Sequence, residues 1–105
     1  MMDTILIGCF SEIYGDNYPS IRDCMNNDAS ENKQYVLEYL KKGRVIAASP
    51  AYLLDVLTGE RIQMKLTSMT DGEFEWRSDL IYYYKRYNVD LPSEFIEKAL
   101  AAKRS

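Results

Sequence analysis

Apolar residues in the chain recur first with a helical period and then with a strand period. Over residues 31–42, Tyr35, Val36, Tyr39 and Leu40 form one stripe, with Ser30 as the predicted N-cap. Glu31 near the start, Lys41 and Lys42 near the end and Gly43 after it agree with the helix dipole and a glycine stop. From Gly43 the period becomes two. Residues 44–49 read as a short strand broken at Ser49-Pro50, and residues 51–57 and 61–67 as hairpin arms joined by Thr58-Gly59-Glu60. In the second arm Ile62, Met64 and Leu66 alternate with polar neighbours, and after the turn at Thr70-Asp71-Gly72 so do Phe74 and Trp76. The segment 44–77 is thus predicted to be an antiparallel meander of three or four strands.

Helical spacing then returns. Leu80, Tyr83, Tyr84 and Tyr87 mark a helix capped by Ser78 or Asp79 and ended by Asn88. Pro92 opens a last helix with Phe95, Ile96, Ala99 and Leu100 on one face, Glu94 and Glu97 near its start, and Lys103 and Arg104 near its end. Towards the N-terminus, Ile5, Leu6, Cys9, Phe10 and Ile13 fit a helix capped by Asp3 and stopped by Gly15. A strand over 4–10 is the alternative, because Ile5, Ile7 and Cys9 also alternate. Pro19 suits the first turn of a short helix over 19–26, which Asn26, Asn27 and Asp28 end. The expectation is an α+β fold: one domain over residues 1–105, with N-terminal helices, the meander and two C-terminal helices.

Composition agrees: 105 residues with 47% hydrophobic and 28% charged side chains suit one folded domain with a thin core. Residues 1–43 carry the acids Asp3, Glu12, Asp16, Asp23, Asp28, Glu31 and Glu38 against Arg22, Lys33, Lys41 and Lys42, so the net charge of −3 lies in the first half. Such a surface favours a basic partner and repels phosphate backbones. The run Ile5–Phe10 is too short for a signal core, nothing approaches a membrane span, and Cys9 and Cys24 lack metal spacing, so the expected location is cytoplasmic.

The chain has no histidine and its glycines are isolated, which removes the commonest general base and any phosphate-cradling loop. Carboxylates could still carry chemistry, and Asp71 and Asp79 with a tyrosine hydroxyl, in a pocket between sheet and helices, form the enzymatic or small-molecule alternative. Neither a cofactor nor a metal is implied by any motif. Nucleic acid would need exposed rings beside a positive track such as Arg77, Lys85 and Arg86, and the balanced charge of residues 44–105 argues against it. Nine tyrosines exceed what the helical stripes use. Tyr14, Tyr18, Tyr52 and Tyr82, with Trp76 at a sheet end and Asp16 beside the first pair, are therefore the expected partner-binding residues. A homodimer would be another way to cover them.

The block formed by Thr70, Asp71, Gly72, Trp76, Asp79, Leu80, Tyr82, Tyr83, Tyr87, Leu91, Pro92 and Phe95 resembles a T-D-G…W…D-L-x-Y-Y…L-P-x-x-F pattern of small uncharacterised bacterial proteins. In size, acidity and build the chain is also loosely similar to bacterial toxin-immunity proteins. That likeness implies stoichiometric binding to a toxin domain without turnover. The functional expectation is a small protein-binding domain.

Overall fold

The computed structural model describes residues 4–26 and 31–104. Its centre is a hairpin of β5 (Leu66–Thr70) and β6 (Phe74–Arg77), in which Met69 faces Trp76 and Thr70 faces Glu75. The turn residues explain the hairpin. Asp71 Oδ1 accepts from the N–H groups of Glu73 (2.9 Å) and Phe74 (2.7 Å), and Thr70 Oγ1 donates to the Phe74 carbonyl (2.7 Å). Gly72 takes φ 102°, which side chains resist.

On one side, β2 (Arg44–Ser49) pairs antiparallel with β5, with a bulge between Val45 and Ala47. On the other, β1 (Ile5–Leu6) pairs parallel with β6, giving a mixed four-stranded sheet of order β1-β6-β5-β2. A separate two-stranded ribbon joins β3 (Leu53–Leu54) to β4 (Arg61–Ile62). The helices are α1 (Ser11–Tyr14), α2 (Ile21–Cys24), α3 (Lys33–Lys41), α4 (Asp79–Tyr87) and α5 (Ser93–Arg104). The α3 helix packs on both α4 and α5.

Trp76 and Phe95 anchor the core, both fully buried. Phe95 meets the rings of Phe74 (5.2 Å), Trp76 (5.4 Å) and Tyr39 (5.6 Å) edge to face. Gly43 sits against the indole, since a Cβ there would fall 2.5 Å from Trp76 Cζ2. Val36 and Leu40 of α3, Leu80 and Tyr83 of α4 and Ala99 of α5 fill the same interior.

The α+β class and the periodic helices match the sequence expectations, and three details differ. The first segment is not a helix over 4–14. Ile5 and Ile7 donate their N–H groups to the carbonyls of Glu73 (2.8 Å) and Glu75 (2.9 Å), Gly8 turns the chain at φ 70°, and α1 starts only at Ser11. Nor is 44–77 a simple meander. The arm 61–67 breaks where Met64 donates back to the Ile62 carbonyl (3.0 Å), so β4 pairs with β3 while β5 joins the main sheet. Trp76 is not at a sheet end. Phe95 and Gly43 cover the indole, which is fully buried and presents no exposed edge. The expected caps Asp3 and Ser30 and the end of the second helix at Asn27 and Asp28 lie outside the described residues, as do the side chains of Lys103 and Arg104.

Candidate functional site

The outer edge of the main sheet is β2, whose sequence Arg-Val-Ile-Ala-Ala-Ser carries only one charge. Five of its residues are exposed, with Val45 at 54% and Ile46 at 47%. Backbone direction along it follows from β5. Thr67 donates to Ser78 Oγ (3.0 Å) and its carbonyl accepts from the Ser78 N–H (2.8 Å), so its polar groups point towards β6. By alternation Leu66, Ser68 and Thr70 face β2, and their partners Ser49, Ala47 and Arg44 face back. The N–H and C=O of Ala48, and those at the Val45–Ile46 bulge, are left pointing outwards. Among the described residues nothing pairs with that side. Long, apolar open edges are usually blunted by lysine, proline or coverage. Here Arg44, the bulge and Pro50 just after the strand are what blunt it, and residues 45–48 stay open.

The C-terminal end of β2 runs into a groove of about 690 Å³ between residues 48–53 and 61–65. Pro50 and Tyr52 line one side, and Arg61 and Lys65 the other. Tyr52 is 74% exposed, and the Arg61 guanidinium lies 4.2 Å over its ring. The lining holds the two cations Arg61 and Lys65 and no acid.

What holds the ribbon is the tyrosine cluster of α4. Asp55, buried directly after β3, accepts from Tyr82 (2.7 Å), Tyr87 (2.6 Å) and Arg86 (3.2 Å) through Oδ2. Its Oδ1 accepts from the N–H groups of Leu57 (2.8 Å) and Thr58 (3.1 Å). Tyr83 donates to the Leu54 carbonyl and accepts from the Val56 N–H, both at 3.1 Å. Burial works against ionisation of Asp55, but the hydrogen bonds from Tyr87, Tyr82, Leu57 and Thr58 outweigh it and hold the carboxyl below its ordinary range. Burial and the bond to Asp55 raise Tyr87, and burial pushes Tyr83 up to about 12. A carboxylate with five donors on it is an anchor and a poor proton acceptor.

Comparison with family models, with curated proteins and with solved structures finds no match to this chain.

The residues singled out from sequence are scattered. Tyr52 borders the groove. Tyr82 is half-buried, its hydroxyl engaged by Asp55 and Arg86. Tyr14 and Tyr18 meet edge to face at 5.7 Å beyond β1, next to exposed Asp16, and Arg77 lies over the Tyr14 ring at 5.8 Å. Burial pushes Tyr14 up to about 12. Asp71 and Asp79 occupy opposite ends of the β5–β6 hairpin and form no dyad. Asp71 accepts from Tyr39 (2.6 Å) and pairs with Lys98 (3.1 Å), whereas Asp79 is buried beside Arg77 (3.1 Å). Among the described residues no three of Cys, Asp and Glu gather closely enough to hold a metal ion, and no helix is long and apolar enough to cross a membrane.

Sequence reasoning missed Asp55 and the β2 edge. Aspartate followed by Val-Leu-Thr-Gly is a local turn signal that marks Asp55. The run Val45–Ala48, apolar on both faces where a half-wet strand would alternate, marks β2.

The acid residues also set how stability depends on pH. Burial opposes ionisation of Asp71, yet bonds from Phe74, Tyr39, Glu73 and Lys98 hold its carboxyl low, as with Asp55. Both therefore contribute stability that is complete above the ordinary carboxylate range and disappears as pH falls through their folded values. Asp79 has the opposite sign: burial raises it against the pull of Arg77, so its contribution becomes less favourable as pH rises through the folded value. Burial opposes ionisation of Glu12 as well, and bonds from Ser20 and Ile21 outweigh it and hold the carboxyl low, so three low carboxyls oppose one raised. Urea midpoints should fall from neutral towards pH ~2, and less steeply in Asp55→Asn. Midpoints that climbed over that range would contradict the assignment.

Proposed function

We propose that the chain is a protein-binding domain whose main contact element is the open edge of β2. The observation that carries this is a six-residue edge strand with Val45 and Ile46 uncovered and backbone groups aimed outwards. Such an edge binds by strand addition, in which main-chain hydrogen bonds supply affinity and side chains supply choice. Contact without turnover is the behaviour of an immunity-like protein, and a toxin domain fits that class of partner. The acids Glu12, Asp16 and Asp23 follow β1, at the opposite edge of the sheet, and with Tyr18 they would meet basic groups of the same partner.

The test compares the wild-type chain with Val45→Lys/Ile46→Lys as bait in the native host. Both side chains are exposed, so the variant should melt within a few degrees of wild type. Wild type should retain a stoichiometric protein that protects the Ala48 amide from hydrogen exchange, and the variant should lose it. Equal capture by both baits, or protection elsewhere, would remove the proposal.

One observation favours a second reading, a small-molecule or enzymatic role. Asp79 is buried, raised by that burial and paired with Arg77, and perturbed carboxyls gather at functional sites. Titration by carbon-detected NMR, with Asp79 shifting on addition of a metabolite mixture, would support it. An Asp79 signal indifferent to every addition would not.

A further inference from the structure

We infer that the segment docked on β2 is acidic, and that the groove between residues 48–53 and 61–65 receives its carboxylate side chains. This rests on the strand-addition reading and specifies the chemistry of the added strand.

The groove begins where β2 ends, at Ala48 and Ser49, so a strand laid along the edge continues into it. Its floor is apolar, from Leu53, Ile62 and Met64, and its charged groups are Arg61 and Lys65. With Arg44 at the other end of β2, the strand and the groove lining carry positive charge at both ends and hold no acid of their own. The overall net charge of −3 therefore misdescribes this surface. A peptide with apolar residues opposite Val45 and Ile46 and glutamate or aspartate at its groove end would complement all of these groups. Arg61, already held over the Tyr52 ring, presents a planar donor fork for a carboxylate with less side-chain freedom left to lose.

The same charges argue against a second copy of the chain as occupant. Antiparallel pairing of two β2 edges would bring Arg44 of one copy beside the Arg61 and Lys65 end of the other. Like charges would then meet at both ends of the contact.

The experiment uses the full chain, nitrogen-15 labelled, and synthetic strand-forming peptides of alternating valine and threonine. One set carries two glutamates at either terminus, and matched sets carry glutamine or lysine there. The glutamate peptides should shift the amides of Ile46, Ala48 and Lys65 and bind about tenfold tighter than the lysine peptides. The gap should close in Arg61→Gln/Lys65→Gln and in high salt. Binding at β2 that ignores the terminal charge overturns the acidic-segment inference and leaves strand addition standing. No shift along β2 with any peptide, or sedimentation showing that the chain pairs with itself through β2, overturns both.

Discussion

Replacing Asp55 by alanine is expected to cost about 3–5 kcal/mol of folding stability, because several hydrogen bonds to one carboxylate, worth about 1.5–3 kcal/mol each and not additive, are lost together. The carboxylate is the common acceptor for Tyr82, Tyr87, Arg86 and two backbone amides, and its side chain is buried. Removing it strands two phenols and leaves the loop 56–58 without its turn. Asp55→Asn keeps the shape but supplies one acceptor oxygen, so it should fall between wild type and alanine. Tyr87→Phe, which removes a single bond to a charged group, should cost about 1.5–3 kcal/mol. Urea denaturation of the series decides the matter. An alanine variant as stable as wild type would mean that the ribbon is held by something other than this carboxylate. Because both strands of the ribbon line the groove, partly destabilised members should also bind the glutamate peptides more weakly while β2 stays intact.

Phe95→Ala should be of similar size, about 3–5 kcal/mol. The ring is fully buried and touches Tyr39, Phe74 and Trp76, which come from α3 and β6. Alanine would open a cavity where helix, sheet and α5 meet. A domain of this size has about 5–15 kcal/mol in total, so the variant should lose a large share of its stability. Phe95→Leu keeps most of the volume and should lose far less, which separates packing from a general intolerance of change. Thermal unfolding followed by Trp76 fluorescence reports both. Equal midpoints for alanine and leucine would sink the packing explanation.

Where sequence and structure agree, the cause is local. The stripes of α3 and α4, the turn at Thr70-Asp71-Gly72 and the stop at Asn88, whose φ is 53°, each follow from residues within one or two turns of chain. Where they disagree, the cause is a distant partner. Ile5, Ile7 and Cys9 fit period two as well as Ile5, Leu6 and Cys9 fit a helix, and only the carbonyls of Glu73 and Glu75 decide between them. Ile62, Met64 and Leu66 keep alternating straight through the break at 63–65. There Ser78 Oγ, donating to the Lys65 carbonyl at 2.7 Å, ties the chain to the start of α4.

The site divides in the same way. Tyr52 was visible as a surplus ring and does border the groove. Tyr82 was visible too, but its hydroxyl serves an aspartate that lies outside its own helix. Counting charge over the first and second halves concealed the positive groove, because Glu73, Glu75 and other acids elsewhere in residues 44–105 cancel Arg61 and Lys65 in number though not in place.

The parallel pairing of Ile5 with Phe74 has a consequence for synthesis. A chain made from its amino end releases Ile5 and Leu6 early, yet their strand partner exists only after most of the polypeptide has left the ribosome. Through that interval the first apolar residues wait in solution, and closure of the sheet at that side is a late event. Crowded nascent chains would be most vulnerable to mispairing then, when β6 of one can accept the leading segment of its neighbour.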